Sequence, residues 1–166
     1  MNFGASRKGN LILDSITIII VIFVLAISSI FGARLLDELN TDIQEDPDMT
    51  LQEAKDIPNE LNSKYAPLID GLILFAFVLL VLFTIVGMFM FDTHPIFFII
   101  TFLLLISVFV VAIFLGNAYD DILQDAEIAS YANSFTFSTW LFTHILELSL
   151  AVGFILLITL FIKMRS

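Results

Sequence analysis

His144 and Glu147 stand three residues apart in an apolar stretch, a spacing that puts an imidazole and a carboxylate on one face of a helix. A charge at the centre of a bilayer costs about 2.5–3.5 kcal/mol, so ionisable groups at membrane depth are candidates for function. The chemistry this pair could do is proton relay or ion binding. The plainer alternative is a glutamate held neutral, or bonded to His144, a serine or a neighbouring helix near the interface. That alternative is favoured, because transport sites gather several such groups at the midplane. Six residues separate Leu141 from Glu147, which places the carboxyl roughly 9 Å inside a span beginning at Leu141.

Other candidates are weaker. Asp14 follows Arg7 and Lys8 at the start of an apolar stretch, where the helix dipole favours an acid. The run Asp42, Glu45, Asp46, Asp48 could collect calcium, but it lacks the glycine and terminal glutamate of an EF-hand loop. It reads as a solvated acidic face. His94 falls at the opposite end of the spans from His144, so the two histidines cannot share a metal. Cysteine is absent, and no phosphate-binding glycine loop, nucleophile elbow or zinc-protease helix motif appears. No catalytic residue, metal or cofactor is expected, and the chain reads as non-enzymatic.

The elements that carry these residues follow from composition. The chain has 166 residues, 59% hydrophobic and 14% charged, with a mean hydropathy of +1.00. A soluble domain carries about a quarter charged residues, so the class is an integral membrane protein. Crossing a bilayer takes ~20 apolar residues in a helix. Four stretches qualify, 11–32, 72–91, 96–116 and 141–162. Open strands leave backbone groups unsatisfied in lipid, so the spans are helices. The expected fold is an all-α integral membrane protein, one domain over 1–166, with four transmembrane helices as two hairpins. Acidic amphipathic segments, 33–71 and 117–140, would lie on one membrane face.

Arg7 and Lys8 precede the first span, and Lys163 and Arg165 follow the fourth. The loops between hold Arg34, Lys55 and Lys64 against thirteen acids from Asp37 to Glu60 and Asp120 to Glu127, plus Asp70. The positive-inside rule therefore puts both termini on the cytoplasmic-equivalent side. Tyr65, Tyr119, Tyr131 and Trp140 fall at the acidic side, as an interfacial aromatic belt would. The first apolar run is longer than the core of a secretory signal peptide and has no small-residue cleavage site after it. Lys8-Gly9-Asn10, with Asp14 beyond, looks like a prepilin leader, but pilins do not carry three further spans. Leader processing is not expected.

The first acidic segment continues the helical period through Leu35, Leu36 and Leu39, and Asp46-Pro47-Asp48 breaks it. Thr50 and Glu53 have capping-box spacing, opening a second short helix interrupted at Pro58. Pro67 suits a first helical turn before the second span. The segment is expected to form a small amphipathic cap lying on the outer surface. The second segment echoes the first, Gly32 to Leu39 aligning loosely with Gly116 to Leu123, as an internal duplication would. The turn Asp92-Thr93-His94-Pro95 is short enough to make the second and third helices antiparallel neighbours. Helix packing is expected through small residues four apart: Ser28 with Gly32, Ala112 with Gly116, and Ser149 with Gly153. Such pairs fit packing within the chain and a homo-oligomer equally.

Three stretches together carry a resemblance. They are Leu36-Asp37-Glu38-Leu39-Asn40 with Asp46-Pro47-Asp48, then Asp92-Thr93-His94-Pro95-Ile96-Phe97-Phe98, then Gly116-Asn117-Ala118-Tyr119-Asp120-Asp121. They resemble small multi-span proteins encoded beside capsid genes in membrane-containing icosahedral viruses and phages. The resemblance implies a bilayer beneath a jelly-roll shell, with the spans as anchor and the acidic segments as docking faces. Asp37, Glu38, Asp42, Glu45, Asp46, Asp48, Asp120, Asp121 and Asp125 would form those faces. The family has no catalytic motif to carry over. The expected partners are the lipid bilayer and a capsid or other membrane protein. A net charge of −10 argues against nucleic acid. The competing functions are a holin-like permeabilising protein, a small transporter using His144 and Glu147, and an accessory subunit of a larger host membrane complex.

Overall fold

A computed structural model describes residues 10–46, 52–90 and 95–165, and among them the only regular element is the helix. Six helices follow in order: α1 Asn10–Glu45, α2 Gln52–Met90, α3 Pro95–Leu123, α4 Ala126–Ala132, α5 Thr136–Thr143 and α6 Ile145–Arg165. Within α1, α2, α3 and α6 lie four segments long and apolar enough to cross a bilayer. This is the architecture of a multi-pass integral membrane protein. Arg7, Lys8, Asp48, the Thr50 end of the capping box and Asp92 to His94 lie outside the described residues. Pro95 is the first residue of α3, where its missing N–H costs no helical bond.

The two longest helices depart from expectation. α1 has 36 residues and α2 has 39, so each is about 55 Å long and outreaches a 30 Å hydrocarbon core. Rather than folding over as a cap on the surface, the acidic segments of α1 and α2 prolong the spans as an antiparallel pair. Pro58 and Pro67 both lie inside α2 without interrupting it. A proline in a helix interior costs about 3 kcal/mol, and contacts with α1 offset that cost along the pair. Gln44 Nε2 donates to the Lys55 carbonyl at 2.8 Å while Lys55 Nζ donates to the Gln44 carbonyl at 2.7 Å. Asn62 Nδ2 donates to Asp37 Oδ1 at 3.0 Å.

Within the apolar half, α1 packs along α2 and α3 packs along α6. α2 turns its remaining contacts to α5 and α6, and α3 to α1, α4 and α5. Among the described residues the second and third spans are therefore not the main partners of each other that their short connection suggests; α1 is the chief neighbour of α2, and α6 of α3. The fourth span also starts later than Leu141. α5 ends at Thr143, and His144, at φ −115° and ψ 18°, separates it from α6. Thr143 Oγ1 donates to the carbonyls of Thr139 and Trp140, and such side-chain bonds compete with the backbone ladder at a helix end. The 21 residues of α6 still rise about 31 Å, enough for the hydrocarbon core.

The small residues divide. Ala112 and Gly153 are buried, and a β-carbon at Gly153 would meet Phe109 Cζ at 3.1 Å. Gly116 backs onto the Phe142 carbonyl and Ile145, and Ser149 is half-buried. Ser28 is exposed. The buried stripe of α1 instead runs Ile22, Ala26, Ser29, Ile30 and Ala33, a register that turns Ser28 outward. Gly32 admits Tyr65, because a β-carbon there would lie 2.5 Å from the Tyr65 hydroxyl oxygen. Gly32→Ala is expected to cost about 1–3 kcal/mol by overpacking. Most of that cost should vanish in a Tyr65→Phe background, whose nearest remaining ring atom is 3.2 Å away. A double-mutant cycle of denaturant unfolding in micelles reads this coupling.

Candidate functional site

The polar groups with the most definite geometry lie where the acidic ends of α1, α2 and α3 meet α4 and α5. α5 is preceded at its N-cap by Phe135, whose side chain can cap nothing. Asp70 of α2 supplies the missing acceptor. Its Oδ2 takes the Phe137 N–H at 2.8 Å, and its Oδ1 takes the Ser138 N–H at 2.8 Å and the Ser138 hydroxyl at 2.6 Å. Both amides are in the first turn of α5, where free N–H groups and the helix dipole favour an anion. Asp70 is 9% exposed and Ser138 is fully buried, so the carboxylate is held almost entirely by protein donors.

A second polar cluster lies farther out. Asp37 Oδ1 accepts from Asn62, and its Oδ2 accepts the Tyr131 hydroxyl at 3.1 Å, tying α1 to both α2 and α4. Burial and the adjoining Asp37 hold the Tyr131 phenol above its ordinary pKa. Arg34 bridges Glu38 at 3.0 Å and Glu127 of α4 at 2.9 Å. Its guanidinium is held above the usual value, first by the Glu38 hydrogen bond and then by the Glu127 charge. Asp37, Asn62, Ser63, Ser130, Tyr131 and Ser134 line a polar recess of about 580 Å³ between these helices. Asp125 caps α4, accepting from Glu127 N at 2.9 Å and Ile128 N at 3.3 Å. Tyr119 binds Thr139 at 2.9 Å and stacks on Phe142, joining α3 to α5.

The expected docking residues thus fall into two groups. Asp37 joins helices, Asp125 caps α4 and Glu38 pairs with Arg34 on its own helix, while Asp42, Glu45 and Asp120 are exposed. Asp121 is exposed and accepts from Gln124 at 3.3 Å; Asp46 is half-buried. Among the described residues no three histidine or acidic side chains gather as metal ligands.

His144 and Glu147 do not share a helix. The His144 ring turns back to α5, its Nδ1 lying 3.0 Å from Thr143 Oγ1 and 3.0 Å from the Trp140 carbonyl. The ring stacks on the Trp140 indole at 5.4 Å. Glu147 is exposed in the first turn of α6, only about 3 Å along the helix from its start rather than 9 Å inside a span. A cleft of about 80 Å³ inside the bundle is lined by apolar side chains and three hydroxyls, those of Ser15, Thr84 and Ser149. Ser15 and Thr84 are bonded to each other at 3.3 Å.

Spacing along the chain could not reveal the Asp70 contact, whose partners are 67 and 68 residues away. The available signal was indirect: Phe135 opens a helix with no capping side chain, so its amides needed an acceptor from elsewhere. No protein-family model matches the chain, and none of the curated proteins or solved structures compared with it does so.

Asp70→Ala is expected to lower unfolding stability by about 3–5 kcal/mol, the cost of removing a buried charged acceptor and orphaning its donors. Asp70→Asn, which keeps one oxygen, should cost less. Denaturant titration in micelles measures both. A second expectation concerns alkaline pH. The neutral Tyr131 phenol donates to Asp37, and its pKa is raised on folding. The contribution is complete below pH 10, the ordinary value of a phenol, and is lost as pH rises through the higher folded value. Tyr131→Phe should remove that alkaline slope.

Proposed function

We propose that this chain is a structural membrane protein, a component of a virion membrane that anchors in the bilayer and presents an acidic helical stalk to a capsid shell. In this reading the four spans form two hairpins, both termini lie on the cytoplasmic-equivalent side, and the acidic segments share the other face. The single observation that carries the reading is the unbroken continuation of α1 and α2 beyond the apolar length of their spans. A rod that stands off a membrane suits a spacer between two layers. The bonds from Asp70, Asp37 and Arg34 support the same reading, since they brace the base of the rod with α4 and α5. The likeness of three sequence stretches to small membrane proteins of lipid-containing icosahedral viruses suggests which two layers these are.

Transport through His144 and Glu147 is less well supported. The histidine is turned toward α5, and the glutamate is exposed in the first turn of α6. Glu147→Gln should leave liposome ion flux unchanged.

The deciding experiment is mass spectrometry of density-purified particles from the organism that encodes the gene, before and after chloroform delipidation. The expected result is abundant recovery from intact lipid-bearing particles and depletion with the lipid. Recovery from cell membranes alone would overturn the virion assignment.

A further inference from the structure

The stalk carries leucines that its own helices do not cover. On α2, Ile57, Leu61 and Leu68 are 71%, 52% and 60% exposed. Their spacings of four and seven keep them on one stripe of the helix. That stripe runs on into the span as Leu72 and Phe75, also more than half exposed. Lipid covers the lower residues. Ile57 stands about 22 Å farther along the axis than Leu72, at 15 residues of 1.5 Å, beyond the reach of acyl chains. On α1, Leu35 and Leu39 are 65% and 52% exposed one turn apart. These side chains sit among carboxylates in a segment that must face water.

Charge selects what covers them. Residues 33–70 hold ten acids and three bases, and each base is already engaged. Arg34 binds Glu38 and Glu127, Lys64 pairs with Glu60, and Lys55 binds the Gln44 carbonyl. A second copy fits badly. Spans in one membrane hold two stalks at equal height, so each row of carboxylates would face its duplicate. We propose that the leucine stripe of the α1–α2 stalk docks a basic amphipathic helix of a partner protein, apolar residues against Leu39, Leu61 and Leu68, lysines or arginines against Asp42, which lies close to the face of Leu39. This deepens the docking reading above by naming the chemistry of the partner.

The test uses the full chain in phosphatidylcholine nanodiscs, with empty discs as the lipid background. The probe is a fluorescent lysine–leucine peptide with leucines at i, i+3, i+4 and i+7. Its scrambled isomer spreads the leucines around the helix, and a glutamate–leucine analogue reverses the charge. The amphipathic basic peptide should bind at one per chain, at least tenfold more tightly than its isomer, and the acidic analogue should not bind. Leu39→Ser with Leu61→Ser and Leu68→Ser should weaken binding at least tenfold. Asp42→Lys, at an exposed position, gives the same answer through charge should the serine variant misfold. Equal binding of the basic peptide and its isomer would reduce the surface to a simple ion exchanger and overturn the proposal. So would unchanged binding to both variants. Because the chain contains no cysteine, Leu61→Cys reports self-association directly; efficient disulfide dimers in discs holding two copies would assign the stripe to a second copy instead. Particle recovery and peptide binding are independent readouts, so loss of the virion assignment would leave this surface standing, and the reverse.

Discussion

A helix that begins without a capping side chain leaves several N–H groups to be satisfied, and at a membrane boundary water is a poor remedy. α5 meets this constraint with Asp70, a carboxylate from another helix held by two amides and a hydroxyl. The consequence extends beyond α5. Lipid supplies no hydrophobic force to press helices together, so association in the bilayer rests on close packing and polar contacts. Asp70 joins the α1–α2 pair to the segment leading into α6. Tyr119, packed on Phe142 and bonded to Thr139, then brings α3 to the same point. The acidic end of the bundle is where its parts are fastened.

These fastenings share a pattern of long chain separation. Asp37 and Tyr131 are 94 residues apart, and Asp70 and Ser138 are 68 apart. Helix α4, only seven residues long, is held by Asp125 at its start and by Arg34 and Asp37 across its side. A helix this short is marginal in isolation, and its place depends on these partners. Acids that a charge count assigns to a solvated surface are thus divided in practice, some joining helices and others left to the solvent.

What the sequence made legible follows from how each signal arises. Length and apolarity are local properties, and they located four spans because a bilayer reads the same two quantities. The inner small residues Ala112 and Gly153 were legible for a similar reason, since close approach needs a short side chain. Ser28 was not, because a one-residue change of register rotates a helical position by about 100°, and Ala26, Ser29 and Ala33 set the register. Pro58 misled through a local cost that a partner helix offsets. The kink at His144 was missed because Thr143 and His144 act on the preceding carbonyls while the apolar pattern runs through unbroken. Asp70 was invisible as a cap because the reason for its position lies in a helix two-fifths of the chain away.

The continuity of α1 has a mechanical corollary. About 20 Å of this helix stands beyond its apolar stretch and about 33 Å lies within it, with no proline in the described helix to act as a joint. Such a rod has no joint, so the contacts of Ser15 with Thr84, Gly32 with Tyr65 and Gln44 with Lys55 hang on one stiff axis, and a slip of the helix pair at any of them would have to displace all three.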